Sequence, residues 1–219
     1  MATIELGEPP ALPAGSAYGA YKPWLERAFH FRLCSYCLLR SRTLHVDHYE
    51  PRKLAPHRID DPTNLLLACP ACNGRAGKSD YHPRHLLRTR LPADRTEHLV
   101  IDVRRDDFEE LFELDSQGTV RPRGGLQEDR AIWNIALLSL DRQDCNRVRA
   151  STLEVLRLAE RVSTVLETGG AGHLEGDLRD VLETYVLALA ENLPFLRAFG
   201  LELSPRLRAR VLVAREALV

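Results

Sequence analysis

Long apolar runs are missing from this chain. None of its apolar stretches approaches the roughly 20 residues that a membrane-spanning helix needs. The first residues lack both the basic start and the apolar core of a secretion signal. Internal repeats and low-complexity tracts are absent as well. With 219 residues, of which 44% are hydrophobic, the chain can still bury a core, so we expect one or two compact domains. Because a membrane helix and a secretion signal are not found, we expect the protein in the cytoplasm.

Net charge is also small, at −1, and lysine is scarce, with three residues among 30 basic ones. We draw no function from the lysine content. The charge is unevenly distributed, however, because residues 32–90 hold eleven basic and five acidic residues. Contacts from Arg and Lys to phosphates supply most non-specific affinity for nucleic acids. We therefore predict that this segment binds phosphates, with a solvated charged face as the alternative.

The cysteines are few but regularly spaced. Four of the five form two Cys-x-x-Cys pairs, Cys34 with Cys37 and Cys69 with Cys72, and 31 residues lie between the pairs. Four thiolates in this pattern are the usual ligands of a tetrahedral structural Zn²⁺ ion. Without a secretion signal, metal-bound thiolates are favoured over disulfides. Cys145 lies in a helical pattern far from the others, and we interpret it as a small buried hydrophobic residue without a further role.

The segment around the cysteines shows the pattern of a small ββα unit. Helical spacing of apolar residues over 16–31 predicts a helix that leads into the first cysteine pair. Alternation over 43–49 predicts a strand, and the apolar run 65–68 predicts a second one. A short helix is expected from Pro70 to about Ser79, since proline is tolerated in a first helical turn.

The rest of the chain becomes increasingly helical. We predict a strand over 99–103 and a β-hairpin over 109–120 with its turn near Gly118. From Glu128 to the end, apolar residues recur with helical periodicity. The fold class is therefore α+β, a zinc-stapled ββα core with a mainly α-helical C-terminal region. The expected divisions are a flexible lead-in at 1–15, the core with its four-cysteine zinc site at 16–90, a connector with short strands at 91–127, and a helical domain at 128–219.

Three polar positions complete a recognisable motif. Asp47-His48 lies between the cysteine pairs, Asn64 precedes the second predicted strand, and Asn73 follows the last cysteine. This arrangement resembles the HNH nuclease family of the zinc-knuckle type. The resemblance implies a ββα-metal fold in which His48 activates water, Asp47 and Asn73 hold Mg²⁺ or Mn²⁺, and Asn64 braces the loop and orients His48.

The chemistry of these residues agrees with that resemblance. Phosphodiester hydrolysis requires a deprotonated water and positive charge near the phosphate and the leaving oxygen. A carboxylate such as Asp47 suits a hard metal ion, and neutral imidazole is the natural base near pH 7. Since Asp47 and His48 are adjacent in a strand, they should point to opposite faces unless the strand twists strongly.

One motif position departs from the family pattern. The last motif residue is often histidine in the family, so Asn73 makes this chain an HNN variant. His82 or His85 could replace or supplement Asn73 as the second ligand of the catalytic ion. Cations that could contact substrate phosphates lie just after the base and after the last cysteine, at Arg52, Lys53, Arg75 and Lys78.

A looser resemblance points to a subfamily. The segments 47–53, 64–78 and 132–142 resemble the HNH nuclease subunit of Septu-type anti-phage systems. That resemblance implies a role in anti-phage defence with an ATPase partner, although Glu50 stands where we would expect arginine. We thus predict a metal-dependent endonuclease acting on double-stranded DNA. RNA as the substrate, nicking or double-strand cleavage, and the oligomeric state stay open, and a non-catalytic zinc-dependent adaptor that docks a partner through its helices is the alternative.

Overall fold

The computed structural model describes residues 7–13, 15–28, 33–53, 55–73, 100–168 and 175–218. Within these ranges helices pack around two small antiparallel sheets, which confirms the α+β class. None of the described helices is long and apolar enough to cross a membrane. In chain order the elements are α1 (Lys22–Ala28), β1 (His45–His48), β2 (Leu65–Ala68), α2 (Pro70–Asn73), α3 (Phe108–Leu111), β3 (Phe112–Leu114), β4 (Val120–Pro122), α4 (Glu128–Leu138), α5 (Gln143–Glu167), α6 (Glu175–Glu191), α7 (Leu193–Ala198) and α8 (Pro205–Glu216).

The first sheet is the predicted pair of strands around the motif. Strands β1 and β2 are antiparallel, with Asp47 opposite Leu66 and His48 opposite Leu65. All four residues of β2 are buried, and α1 packs against this strand. The short helix α2 contacts both strands, so the order β1, β2, α2 gives the expected ββα unit.

The entry to this unit differs from the prediction of one helix over 16–31. A 3-10 turn at Tyr18–Tyr21 precedes α1, and residues 29–32 lie outside the described ranges. Pro23 explains why the α-helix starts here: it lacks an N–H and its fixed φ angle suits a first helical turn. The helix therefore begins at Lys22 rather than near residue 16.

The predicted hairpin is present with shifted bounds. Residues 109–111 belong to α3, capped by Asp107, and the paired strands are β3 and β4. The turn contains Gly118 with φ +74°, and a Cβ atom there would lie 2.5 Å from the backbone nitrogen of Ala150. Glycine is therefore required both by the backbone conformation and by the close approach of α5.

The predicted strand over 99–103 is wrong where the structure describes it, since residues 100–107 are irregular. Side chains satisfy the backbone here instead of a strand partner. The Ile101 N–H donates to Asn134 Oδ1 at 2.9 Å, and the Asp102 N–H donates to Asp106 Oδ2 at 2.7 Å. Asn134 belongs to α4, so this hydrogen bond ties the connector to the helical region.

The helices from α5 onward pack mainly on one another, whereas α4 packs against β4. Helix α4 ends at Leu138, the following Ser139 adopts a left-handed conformation with φ +44°, and the chain turns directly into the long α5. Helix α6 packs against both α5 and α8. One continuous set of buried side chains joins these helices to the sheet β1–β2, and the start of α5 lies beside the first cysteine turn.

Candidate active site and zinc centre

The first cysteine pair lies in a tight turn. The Leu38 N–H donates to the Cys34 carbonyl at 2.9 Å, and the Cys34 N–H donates to the Leu39 carbonyl at 3.0 Å. Leu38 has φ +55°, which lets the chain reverse within this short span. Both the N–H and the hydroxyl of Ser35 donate to the Leu67 carbonyl of β2, at 2.8 and 2.7 Å. The turn is thereby fixed to the sheet that carries the motif.

The second cysteine pair spans the end of β2 and α2. The N–H groups of Cys72 and Asn73 both donate to the Cys69 carbonyl, at 3.0 and 2.9 Å. All four sulfur atoms are within 4.8 Å of one another, and those of Cys37 and Cys69 are 4.0 Å apart. In a tetrahedral site with Zn–S bonds of about 2.3 Å, the sulfur atoms are about 3.8 Å apart. The buried cluster Cys34, Cys37, Cys69 and Cys72 thus fits a zinc ion.

Cys145 is closer to this cluster than the sequence indicated. It is buried in α5, as expected, but it lies beside Cys37, and this proximity lowers the pKa of the Cys37 thiol. Cys145 is thus far from the other cysteines along the chain but close to Cys37 in three dimensions. Sequence distance misleads here because the first turns of α5 pack against the first cysteine turn.

Asp47 is held by a side chain from within the first cysteine pair. The Tyr36 hydroxyl donates to Asp47 Oδ2 at 2.6 Å. Burial, together with the neighbouring Asp47 carboxylate, raises the pKa of the Tyr36 phenol well above its ordinary value, so the phenol remains protonated and acts as a donor. Asp47, the predicted metal ligand, is thus tied directly to the turn that contains Cys34 and Cys37.

His48 is buried, with 6% of its surface exposed, and its environment differs from that of Asp47. Its Nε2 lies 2.9 Å from the Ile59 carbonyl oxygen. The Tyr18 ring meets the imidazole edge-on, with ring centroids 4.6 Å apart. The two adjacent motif side chains therefore have separate partners, Tyr36 for Asp47 and the Ile59–Tyr18 pair for His48.

Asn64 braces the loop between the strands. It is fully buried, its Oδ1 accepts from the Glu50 N–H at 2.8 Å, and its Nδ2 donates to the carbonyls of Glu50 and Arg58, both at 3.2 Å. The side chain of Arg58 pairs with Glu50 and with Asp61. These contacts fix the backbone immediately before Ile59, whose carbonyl holds His48. Glu50, which stands where the looser resemblance implied arginine, forms an ion pair with Arg58.

The structure describes three of the remaining predicted site residues, Asn73, Arg52 and Lys53. Asn73 is half-buried at the end of α2, the helix that contacts β1 and β2. Arg52 is exposed, and its guanidinium lies 5.9 Å from the centroid of the Tyr18 ring; Lys53 is exposed beside it. The predicted Arg75 and Lys78, like the alternative ligands His82 and His85, lie outside the described residues.

Sequence reasoning missed several of these contacts. Tyr36 could have been suspected from its position between two predicted zinc ligands. Tyr18 lies in the first predicted helix, and no local pattern links it to His48, 30 residues further along the chain. The role of the Ile59 carbonyl has no sequence signal, because every residue carries a backbone carbonyl.

Comparison with known proteins adds one finding. A search of curated proteins finds no match to the chain. One family model does match, over the segment that contains both cysteine pairs, Asp47, His48, Asn64 and Asn73. That model is described as HNH endonuclease, and it matches residues 34–79, so this segment of the chain is similar to the HNH endonuclease family.

Proposed function

We propose that the protein is a metal-dependent endonuclease in which His48 is the general base. The contact between His48 and Ile59 carries this proposal. A carbonyl oxygen only accepts hydrogen bonds, so Nε2 must carry the proton that it donates to Ile59. The lone pair of neutral imidazole is then on Nδ1, where it can accept a proton from water. Burial and the Tyr18 ring hold the imidazole in one orientation.

The proposed roles of the other motif residues follow from their contacts. Asp47 and Asn73 would hold a Mg²⁺ or Mn²⁺ ion, with Tyr36 fixing the orientation of the Asp47 carboxylate. When bound, such an ion stabilises negative charge on the phosphate and the leaving oxygen. Asn64 positions His48 through the loop backbone and does not contact the substrate.

A structural Zn²⁺ ion at the four cysteines is part of the proposal. The cysteine turns carry both Tyr36, which holds Asp47, and Asn73, which follows Cys72 directly. A zinc ion would therefore set the distance between the two proposed ligands of the catalytic ion. Its role would be to position them, since four protein ligands leave no open position for chemistry.

DNA is the substrate that we propose, in its double-stranded form. Arg52 and Lys53 follow the base by a few residues and are exposed, so they can reach phosphates on either side of the cleaved bond. We propose the same role for Arg75 and Lys78, after the last cysteine. We place the activity in the cytoplasm, where thiolates stay reduced and available to a metal ion.

The helical region suggests a partner. We propose that residues 16–90 form the nuclease core and that residues 128–219 form a helical region that docks a partner. Several apolar side chains on these helices are exposed, among them Ile132, Val148 and Leu187, each with 47–49% of its surface accessible. The resemblance to Septu nuclease subunits makes an ATPase the partner to seek, in anti-phage defence. Co-purification with the products of neighbouring genes tests this assignment, and a chain that purifies alone counts against it.

Metal-dependent nicking of supercoiled plasmid tests the proposed activity. We expect cleavage by the purified protein with Mg²⁺ or Mn²⁺ and none with EDTA. Asp47→Ala should abolish cleavage, whereas Asp60→Ala, which removes a carboxylate elsewhere in the same loop, should leave it unchanged. A folded, zinc-loaded protein that cleaves neither DNA nor RNA with any divalent ion would instead support the non-catalytic adaptor.

A further inference from the structure

A buried arginine lies beside the cysteine cluster. Arg149 of α5 exposes 1% of its surface. One terminal nitrogen donates to the Leu140 carbonyl at 2.5 Å and the other to the Cys37 carbonyl at 3.4 Å, while Nε has no hydrogen-bond partner. No carboxylate forms an ion pair with Arg149 in the part of the chain that the structure describes. A buried guanidinium without an opposing charge is strongly unfavourable, so its counter-ion has to be found.

A second arginine approaches the same cluster from the turn before α5. The terminal nitrogens of Arg142 are 3.7 Å from the sulfur of Cys72 and 3.9 Å from that of Cys69. Arg142 also pairs with Asp144, but that carboxylate is 70% exposed and therefore well solvated. Two cations from the helical region thus converge on opposite cysteine pairs, Arg149 on the first and Arg142 on the second.

The charges of a filled zinc site explain this arrangement. Zinc binds cysteines as thiolates, so four thiolates and one Zn²⁺ ion carry a net charge of about −2. Two guanidinium groups carry about +2. We infer that Arg142 and Arg149 supply the counter-charge of the zinc tetrathiolate, and that the helical region is thereby docked on the nuclease core through the metal centre. This inference rests on the zinc site proposed above. It adds that the helical region supplies the charge that balances this site.

The competing explanation is purely mechanical. In that case Arg149 only ties the start of α5 to the Leu140 and Cys37 carbonyls, and its charge is irrelevant to the metal. The two explanations differ when zinc is removed. A counter-ion stabilises the zinc-bound protein and leaves an uncompensated buried cation in the zinc-free protein, whereas a mechanical strut contributes equally to both.

Zinc affinity is the first quantity to measure, by competition with a chromophoric chelator. The variants are Arg149→Met and Arg142→Met, which keep the apolar stem and remove the charge. Arg157→Met is the matched control, since Arg157 lies further along α5, is 55% exposed and pairs with Glu154. We expect Arg149→Met to lower zinc affinity by about tenfold or more, as residues around a ligand shell commonly do, and Arg157→Met to match the wild type.

The difference in melting temperature between zinc-loaded and zinc-free protein is the second readout. It should be smaller in Arg149→Met than in the wild type, because the variant has no buried cation to leave unpaired. The inference would be overturned if Arg149→Met bound zinc with wild-type affinity and showed the wild-type difference in melting temperature. The proposal of a zinc site would then still stand. A wild-type protein that holds no zinc would overturn both. Should Arg149→Met not fold, Arg142→Met decides the question through its zinc affinity alone.

Discussion

Replacing Asn64 by alanine tests whether the loop brace controls the position of the base. Its side chain makes three hydrogen bonds in a fully buried position. At a net contribution of about 1 kcal/mol for each bond, Asn64→Ala should lower the free energy of unfolding by about 3 kcal/mol. For a chain of this length, that loss lowers the melting temperature by about 6–12 °C.

The same substitution should also slow cleavage. Asn64 holds the Arg58 carbonyl, and the next carbonyl, that of Ile59, accepts from His48. Releasing this backbone lets the imidazole move, and a displacement of about 1 Å from the reacting water costs about 100-fold in rate. We expect the loss in kcat, with KM little changed, since the exposed Arg52 and Lys53 are not tied to Asn64.

Asn134→Ala is the matched control, because Asn134 is equally buried. Its Oδ1 accepts from the Ile101 N–H and its Nδ2 donates to the Arg130 carbonyl, both at 2.9 Å. We expect a loss of about 2 kcal/mol in stability without a specific loss in kcat. Melting curves and single-turnover plasmid cleavage, measured well below both melting temperatures, distinguish the two. The reasoning is refuted if Asn64→Ala is destabilised but cleaves as fast as Asn134→Ala.

Three further predictions follow from single contacts. Tyr36→Phe removes the hydrogen-bond donor to Asp47 and should lower the free energy of unfolding by about 2 kcal/mol. It should also raise the Mn²⁺ concentration for half-maximal cleavage by about tenfold. An unchanged metal titration would contradict this role of Tyr36. Replacing both Arg52 and Lys53 by Gln should weaken DNA binding and reduce its salt dependence, and an unchanged salt slope in filter binding would remove them from the interface. Gly118→Ala should lower the free energy of unfolding by about 3 kcal/mol, because alanine is strained at this positive φ and its Cβ clashes with the backbone of α5. The melting temperature should fall while kcat stays unchanged. An unchanged melting temperature would contradict that contact.

Local patterns were sufficient for much of the core. The cysteine spacing predicted the cluster, and the alternation around Val46 and the apolar run at Leu65–Ala68 predicted the two paired strands. Asn64 makes its hydrogen bonds within the loop that it was predicted to brace, and its effect on His48 stays a prediction. These features are local because each depends on residues close in sequence or on a spacing that zinc chemistry itself imposes.

Features that depend on distant parts of the chain were not predictable. Arg149 reaches Cys37 across 112 residues, and the charge that explains its burial belongs to the proposed metal centre. The apolar run near Ile101 resembles a strand, but Asn134 from α4 takes the place of a strand partner. Alternation records which side chains are buried, and it does not show what satisfies the backbone.

The most direct test of His48 as the general base is the single-turnover rate of DNA cleavage by His48→Ala. His57→Ala is the control, since His57 lies in the same loop and is exposed. Both variants should match the wild type in zinc content. We predict that His48→Ala lowers the rate by at least about 100-fold, the lower range for a general base, and that His57→Ala cleaves normally. Cleavage by zinc-loaded, folded His48→Ala at the wild-type rate would contradict the mechanism.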